Sequence, residues 1–239
     1  MRPGLLLPPD FSRHPVFKSS ALTVVIAEAK RAGQPVYLVG GFLRDVALGH
    51  SKNSLDLDFA VASGAIDFGR RVARALKAAF VVLDQEHGCG RVVIRDKKTP
   101  GLTTFDFVDF RGKDLKEDLL KRDFTINALA CPLPPGSRPL IDLCNGLNDI
   151  KRRRLRVVYG AAFDDDPLRI VRAYSMSAVY GLKIDEKTRR LIRRKKELLK
   201  TIAGERLREE FFKILCVPDA LKTIRAMDRD GVLVHVIPQ

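Results

Sequence analysis

The stretch LDLDFAV, residues 55–61, sets two acids, Asp56 and Asp58, into what otherwise reads as a strand of core residues. Side chains alternate along a strand, so both carboxylates fall on one face, about 6 to 7 Å apart. Like charges at that spacing repel unless a cation bridges them. Hard oxygen ligands suit Mg²⁺, and two such ions about 3.5 to 4 Å apart can activate a hydroxyl and neutralise a leaving pyrophosphate. A solvent-facing edge of alternating polarity has the same DxD spelling, so the pair alone does not decide between them.

Upstream, VYLV (36–39) is a short apolar run ending in Gly40-Gly41, and FLRDVAL reads as a helix before the polar loop HSKNS. Two glycines where a strand passes into a helix let backbone N–H groups approach a polyphosphate, whose charge the helix N-terminus favours. Arg44, one turn in, is placed to hold phosphate oxygens. Neither GxGxxG nor GxxxxGK[ST] is present. Downstream, AIDFGRRVARALKAA has the apolar spacing of an amphipathic helix, and FVVLD, RVVIRD and TFDFVDF read as strands. TFDFVDF offers Asp106 and Asp109 as a third carboxylate; three apart, only one can face the metals. This order predicts an α+β head over residues 1–150, with a mixed sheet of about five strands and helices packed on it.

From about residue 115 the expectation is helix, in KEDLL and RDFTINALA, broken by the turn PLPPG and a short LIDL strand, with LRVV as the last strand. Asp164 to Asp166 precede Pro167, a favoured first-turn residue with acids ahead of it as caps. Helices at about 167–180, 186–197, 204–216 and 218–230 make residues 151–239 an all-helical segment. The boundary near 150 is expected between packed subdomains.

The chain has 239 residues and a formal net charge of +14. Residues 1–150 carry 21 basic against 17 acidic side chains, and residues 151–239 carry 22 against 12, so most of the excess is C-terminal. Such a balance suggests a polyanionic partner, with a solvated helix face as the plain alternative. KRRRLR (151–156) and RRLIRRKK (189–196) are the candidate surface for such a partner. No apolar run approaches the ~18 residues of a membrane span, and three leucines before prolines are too short for a secretory signal. The expected compartment is the cytoplasm. The four cysteines have no CxxC spacing and are expected to be reduced thiols. The four histidines form no metal spacing.

LVGGFLRDVALG, DLDFAV, EDLLKRDFTINALA, LIDLCNGLNDIKRRRLRVV and DDPLRIVRA, in that order, resemble the class II tRNA nucleotidyltransferase and bacterial poly(A) polymerase family. The resemblance covers about residues 34–216. It implies a polymerase-β-like nucleotidyltransferase head followed by neck helices that form a base pocket. It implies Mg²⁺ ligation by Asp56, Asp58 and Asp106, and a triphosphate held by Gly40, Gly41 and Arg44. In KRDFTINA it implies nucleotide contact from Arg122, ribose ordering by Asp123 and Asn127, and support of the turn by Thr125. In DDPLRIVRA it implies that Asp166, Arg169 and Arg172 read the incoming base and help bind its phosphates. At i and i+3 the first two would share a helix face. A carboxylate that accepts from an exocyclic amine beside a guanidinium that donates to a ring nitrogen would take C and A and reject G and U.

The substrates implied are CTP and ATP, and the acceptor is the tRNA 3′ end. Four departures bear on the product. Lys121 replaces an expected arginine, Asp165 an expected glutamate, and Ser175-Met176 an Arg-Phe pair. Only GKDLK separates Arg111 from Glu117, where CCA-adding members carry a longer flexible loop, a shortening typical of CC-adding members that work with a separate A-adding enzyme. Relatives also continue beyond HVIPQ into helices that hold tRNA. CCA addition, CC addition, poly(A) addition and a non-catalytic, truncated RNA-binding remnant therefore stand as alternatives.

Overall fold

The computed structural model describes residues 14–50, 56–95, 102–135 and 139–237. Leu5–Leu7, Ser51–Ser54 of the expected polar loop, Leu55 and the last two residues lie outside these. Contacts divide the chain into two units. One comprises residues 1–120 and 127–147, the other residues 121–126 and 148–239.

In the first unit, α1 (Ser20–Ala32) starts at Ser19, whose hydroxyl accepts from the Leu22 N–H at 3.2 Å. There follow β1 (Val36–Val39), α2 (Gly41–Leu48), β2 (Asp56–Val61), α3 (Ala65–Leu76), β3 (Ala79–Asp84), β4 (Cys89–Arg95), β5 (Leu102–Asp109), α4 (Leu115–Leu120), β6 (Leu129–Pro132) and β7 (Ile141–Asp142). The strands form one mixed sheet in the order β3-β4-β5-β2-β1-β6-β7. β2 and β5 run parallel, and the other pairings are antiparallel.

Alternation on β2 and β5 separates two chemistries. Leu57, Phe59, Phe105 and Phe107 are buried on one face, where Phe59 stacks on Phe107 at 4.9 Å and Phe68 of α3 meets Phe107 edge-on at 5.3 Å. Asp56, Asp58, Thr104 and Asp106 occupy the alternate positions, toward the other face. Further along that face Ala60 and Val108 pack with Leu115 and Leu119 of α4.

The sheet has seven strands where about five were expected. The difference lies largely in RDFTINALA, which is not a helix: Thr125–Asn127 make a single 3₁₀ turn, and Leu129–Pro132 form β6 between β1 and β7. All four β6 residues are buried. A short, wholly apolar run has no periodicity with which to separate strand from helix.

In the second unit, β8 (Arg154–Leu155) pairs in parallel with β9 (Lys183–Ile184). The pairing is a small exception to an otherwise helical segment: α6 (Ala162–Asp165), α7 (Arg169–Tyr180), α8 (Glu186–Lys195), α9 (Gly204–Leu215), α10 (Ala220–Arg229) and α11 (Leu233–Val236). α5 (Gly146–Lys151) crosses the division between the units. No helix among the described residues is long and apolar enough to cross a membrane.

Asp149, fully buried, organises this unit. It accepts from the Thr125 hydroxyl at 2.7 Å and from Nε of Arg154 and Arg156 at 2.6 and 2.9 Å. The Thr125 N–H donates to the Arg156 carbonyl and the Val158 N–H to the Asp123 carbonyl, so the KRDFT segment lies antiparallel to residues 156–158. Asp149→Ala removes the shared acceptor of three donors, two of them charged. We expect a loss of about 2 to 3 kcal/mol of stability, read by urea denaturation; a change within about 0.5 kcal/mol, the usual range for an unimportant surface site, would contradict this role.

Candidate active site

In the first unit, the strand register places the three predicted carboxylates on one sheet face. Asp58 of β2 is the register partner of Asp106 of β5, and Asp56 is the partner of Thr104, whose hydroxyl donates to Asp56 at 2.6 Å. Asp106 is therefore the third acid of this face. Asp109 serves elsewhere: its carboxylate accepts from the Ala65 N–H at 2.8 Å and caps α3. Gly88 makes room for it, since a Cβ there would come within 2.1 Å of the Asp109 Oδ2, and its φ of +58° favours glycine independently.

The sequence reading missed Arg91. On β4, directly across from Asp106, its Nε and Nη2 donate to the two Asp106 oxygens, each at 2.7 Å. This fork-to-fork pair holds the carboxylate in a fixed plane. Hydrogen bonding to Asp106, with Asp56 and Asp58 close by, holds the guanidinium above the usual arginine range. Period-2 alternation on RVVIRD was enough to put Arg91 on one face of β4; its partner required the β4–β5 register. Cys89 is a neighbour on the same strand, and burial, then the Asp106 and Asp84 charges, push its thiol up. None of the four cysteines is joined in a disulfide.

The glycine pair forms the expected strand-to-helix turn. Gly40 has φ 76° and ψ −135°, a conformation open essentially to glycine alone, and its N–H donates to the Leu129 carbonyl at 3.3 Å. Gly41 opens α2. Arg44 is not displayed toward solvent. It is buried, with Nε and Nη2 on Asp45 Oδ1 at 2.9 and 2.7 Å and Nη1 on Asn127 Oδ1 at 2.7 Å, and its guanidinium lies against Gly41. Arg44 thus ties the glycine turn to the TIN turn. Asn127, expected beside a ribose, is the other end of that tie.

The second unit holds the remaining candidates. Asp123 takes the Phe124 N–H at 2.7 Å and forms an ion pair with Arg172 of α7 at 2.8 Å, linking the KRDF turn to that helix. Arg122 is buried. Asp166 and Arg169 do not share a helix face. α6 ends at Asp165, Asp166 is extended at φ −149°, and α7 begins at Arg169. The Asp166 carboxylate caps the turn by accepting from the Leu168 N–H at 3.2 Å and lies 3.4 Å from Arg206. Arg169 donates to the Tyr159 hydroxyl at 3.1 Å and to the Ala162 carbonyl at 3.4 Å. Pro167 explains the break, because it disfavours helical backbone at the residue before it. Each side chain therefore has its own anchor, and the two are fixed separately.

Removing the Arg91 cation leaves Asp56, Asp58 and Asp106 without that offset. For Arg91→Ala we expect about 1 kcal/mol lower stability in chelator, discounted for partial exposure, and a larger rise in Tm on adding Mg²⁺ or Mn²⁺ than the unaltered protein shows. Equal cation dependence of the two Tm values would contradict the balancing role.

The poly A polymerase head domain family matches residues 36–156, and the "Probable RNA and SrmB-binding site of polymerase A" family matches residues 181–239. The chain is 38% identical over 198 residues to a CC-adding tRNA nucleotidyltransferase of Synechocystis sp., covering 83% of this chain and 46% of that protein. It is 39% identical over 217 residues to the CC-adding tRNA nucleotidyltransferase of Geobacter sulfurreducens, covering 90% and 49%. Among solved structures, the Thermotoga maritima CCA-adding enzyme complexed with tRNA superposes with a TM-score of 0.80 at 35% identity, covering 91% of this chain and 52% of that one. The chain spans about half the length of these relatives. With a nucleotidyltransferase head that matches in sequence and in fold, it belongs to the family of the poly A polymerase head domain and the tRNA nucleotidyltransferases.

Proposed function

We propose that this protein transfers nucleotides, without a template, from CTP and ATP to the 3′ end of tRNA in the cytoplasm. The observation that carries the reading is the in-register set Asp56, Asp58 and Asp106 on one sheet face, beside a Gly40-Gly41 turn that opens a helix. In the reaction, the 3′-hydroxyl oxygen of the RNA attacks the α-phosphorus of the triphosphate. The bond from that phosphorus to the bridging oxygen breaks, and pyrophosphate leaves.

The donor set fits a divalent metal in part. Asp56 and Asp58 present carboxylate oxygens from one face, as hard-cation ligands require. Asp106 is in place, but both its oxygens are held by Arg91, and among the described residues no three His, Cys, Asp or Glu side chains gather closely enough to hold a metal. Mg²⁺ bound there would supply charge neutralisation at the triphosphate and acidify the attacking hydroxyl. Asp56 and Asp58 would hold it. Asp106 could ligate, or take or orient the hydroxyl proton, through the lone pairs that its two hydrogen bonds from Arg91 leave open. Arg122, Asp123, Asp166, Arg169 and Arg172 would hold and select the nucleotide, with Asp166 and Arg169 kept apart by their separate anchors rather than neutralising each other.

A narrower reading, addition of the two C residues only with a separate A-adding enzyme completing the end, is favoured by the segment from Arg111 to Glu117. It is a tight turn closed on itself: the Lys113 N–H donates to Glu117 at 3.0 Å and the Glu117 N–H to Asp114 at 2.8 Å. The Synechocystis and Geobacter relatives, both named as CC-adding, support the same reading.

Asp58→Ala should lower incorporation of labelled CTP into tRNA lacking its CCA end by about a hundred- to a thousandfold, the scale of losing a main electrostatic contact, with the circular dichroism and urea midpoint retained. Activity within tenfold of the unaltered protein would remove Asp58 from the metal site.

A further inference from the structure

Several cations of the two basic runs are spent inside the second unit. Arg154 and Arg156 bind Asp149, Arg153 donates to the Tyr180 carbonyl, Arg189 and Arg193 pair with Asp230, and Lys195 pairs with Asp164. Three cations outside those runs converge elsewhere, beside the already paired Arg189. A cavity of about 570 Å³ opens among the end of α7, β9, α8 and α10, entirely within this unit, and its lining includes Lys183, Arg189, Lys222 and Arg229 against one acid, Asp219. Lys183, Lys222 and Arg229 are exposed and make no ion pair or side-chain hydrogen bond among the described residues. The nearby Asp230 does not offset them, since it is buried and shared by Arg189, Arg193 and the Tyr174 hydroxyl. The rest of the lining includes the apolar side chains of Leu182, Ile184 and Val217.

Cations gathered in a concave site with apolar walls concentrate the field felt by an anion. The volume falls within the ~300 to 1,000 Å³ of small-ligand sites and exceeds the need of a lone inorganic ion. We propose that this cavity binds a phosphate-bearing nucleotide unit, presented as part of an RNA chain. The ammonium and guanidinium groups take the phosphates, and the apolar wall takes the ribose or base. The RNA source rests on the function proposed above. The phosphate chemistry rests on the cavity alone, and a free nucleotide would share it.

The test measures binding without divalent metal or triphosphate, so a failure of catalysis does not affect it. Lys222→Glu/Arg229→Glu is compared with Arg208→Glu/Arg225→Glu, an equal charge reversal on exposed residues outside both the cavity lining and the two basic runs. Labelled tRNA lacking its CCA end is titrated by fluorescence anisotropy from 50 to 200 mM salt, and CMP by calorimetry. The cavity pair should weaken tRNA binding at least tenfold more than the control pair and lower the salt slope by roughly 1.5, as loss of two phosphate contacts requires. Loss of CMP binding with tRNA binding intact would keep the phosphate-bearing ligand and overturn the RNA source. Equal effects of both pairs, no effect of either, or an unaltered protein that binds neither probe would overturn the proposal.

Discussion

Asp58 and Asp106 stand side by side on parallel neighbouring strands, and the first unit is built so that they stay there. Strands lie about 4.8 Å apart, so the two carboxylates repel. The cost is met in two ways. Arg91 reaches from the next strand to both oxygens of Asp106. On the opposite face Phe59, Phe105 and Phe107 are fully or almost fully buried, with Phe59 and Phe107 in stacked contact. A slip of one residue would move the phenylalanines to the open face and the carboxylates into the core. Burial of the aromatic face thus fixes the register that the acidic face needs.

The second unit uses buried acids to the same end. Asp149 and Asp230 are nearly inaccessible, and each gathers two arginines and a hydroxyl. Part of the positive charge that marks this half of the chain is therefore structural. A buried carboxylate with several charged donors is costly to disturb, because removing one partner leaves the others without theirs. The KRDFT turn is held by such contacts: Thr125 to Asp149, and Asp123 to Arg172 on α7. Asp123, expected beside the ribose, is thus also one of the side chains that hold the turn.

Much of the head was legible because its strands alternate or are rich in branched and aromatic residues. Asp56 and Asp58 fall on one face by spacing alone, and the choice between Asp106 and Asp109 needed only the strand register to settle in favour of Asp106. What could not be read was partnership across sequence distance. Arg91 on Asp106, Arg44 on Asn127 and Asp149 on Thr125 join residues 15, 83 and 24 apart. β6 was misread as helix because a wholly buried apolar run carries no period. Asp166 and Arg169 were placed on one helix because their spacing allowed it, while Pro167 between them broke the helix that the spacing assumed. The basic runs were legible as charge, but not as the internal salt bridges that consume much of it.

A single-nucleotide extension assay tests the account most directly. The purified protein, Mg²⁺ and tRNA ending either before the first C or after the second are incubated with CTP, ATP, UTP or GTP singly, and the products are sequenced. The account predicts two added C residues from CTP, no product from UTP or GTP, and A from ATP, if at all, only on tRNA already ending in CC. Incorporation of UTP or GTP at a rate comparable to CTP, repeated A on the unextended tRNA, or no product from any triphosphate would contradict it.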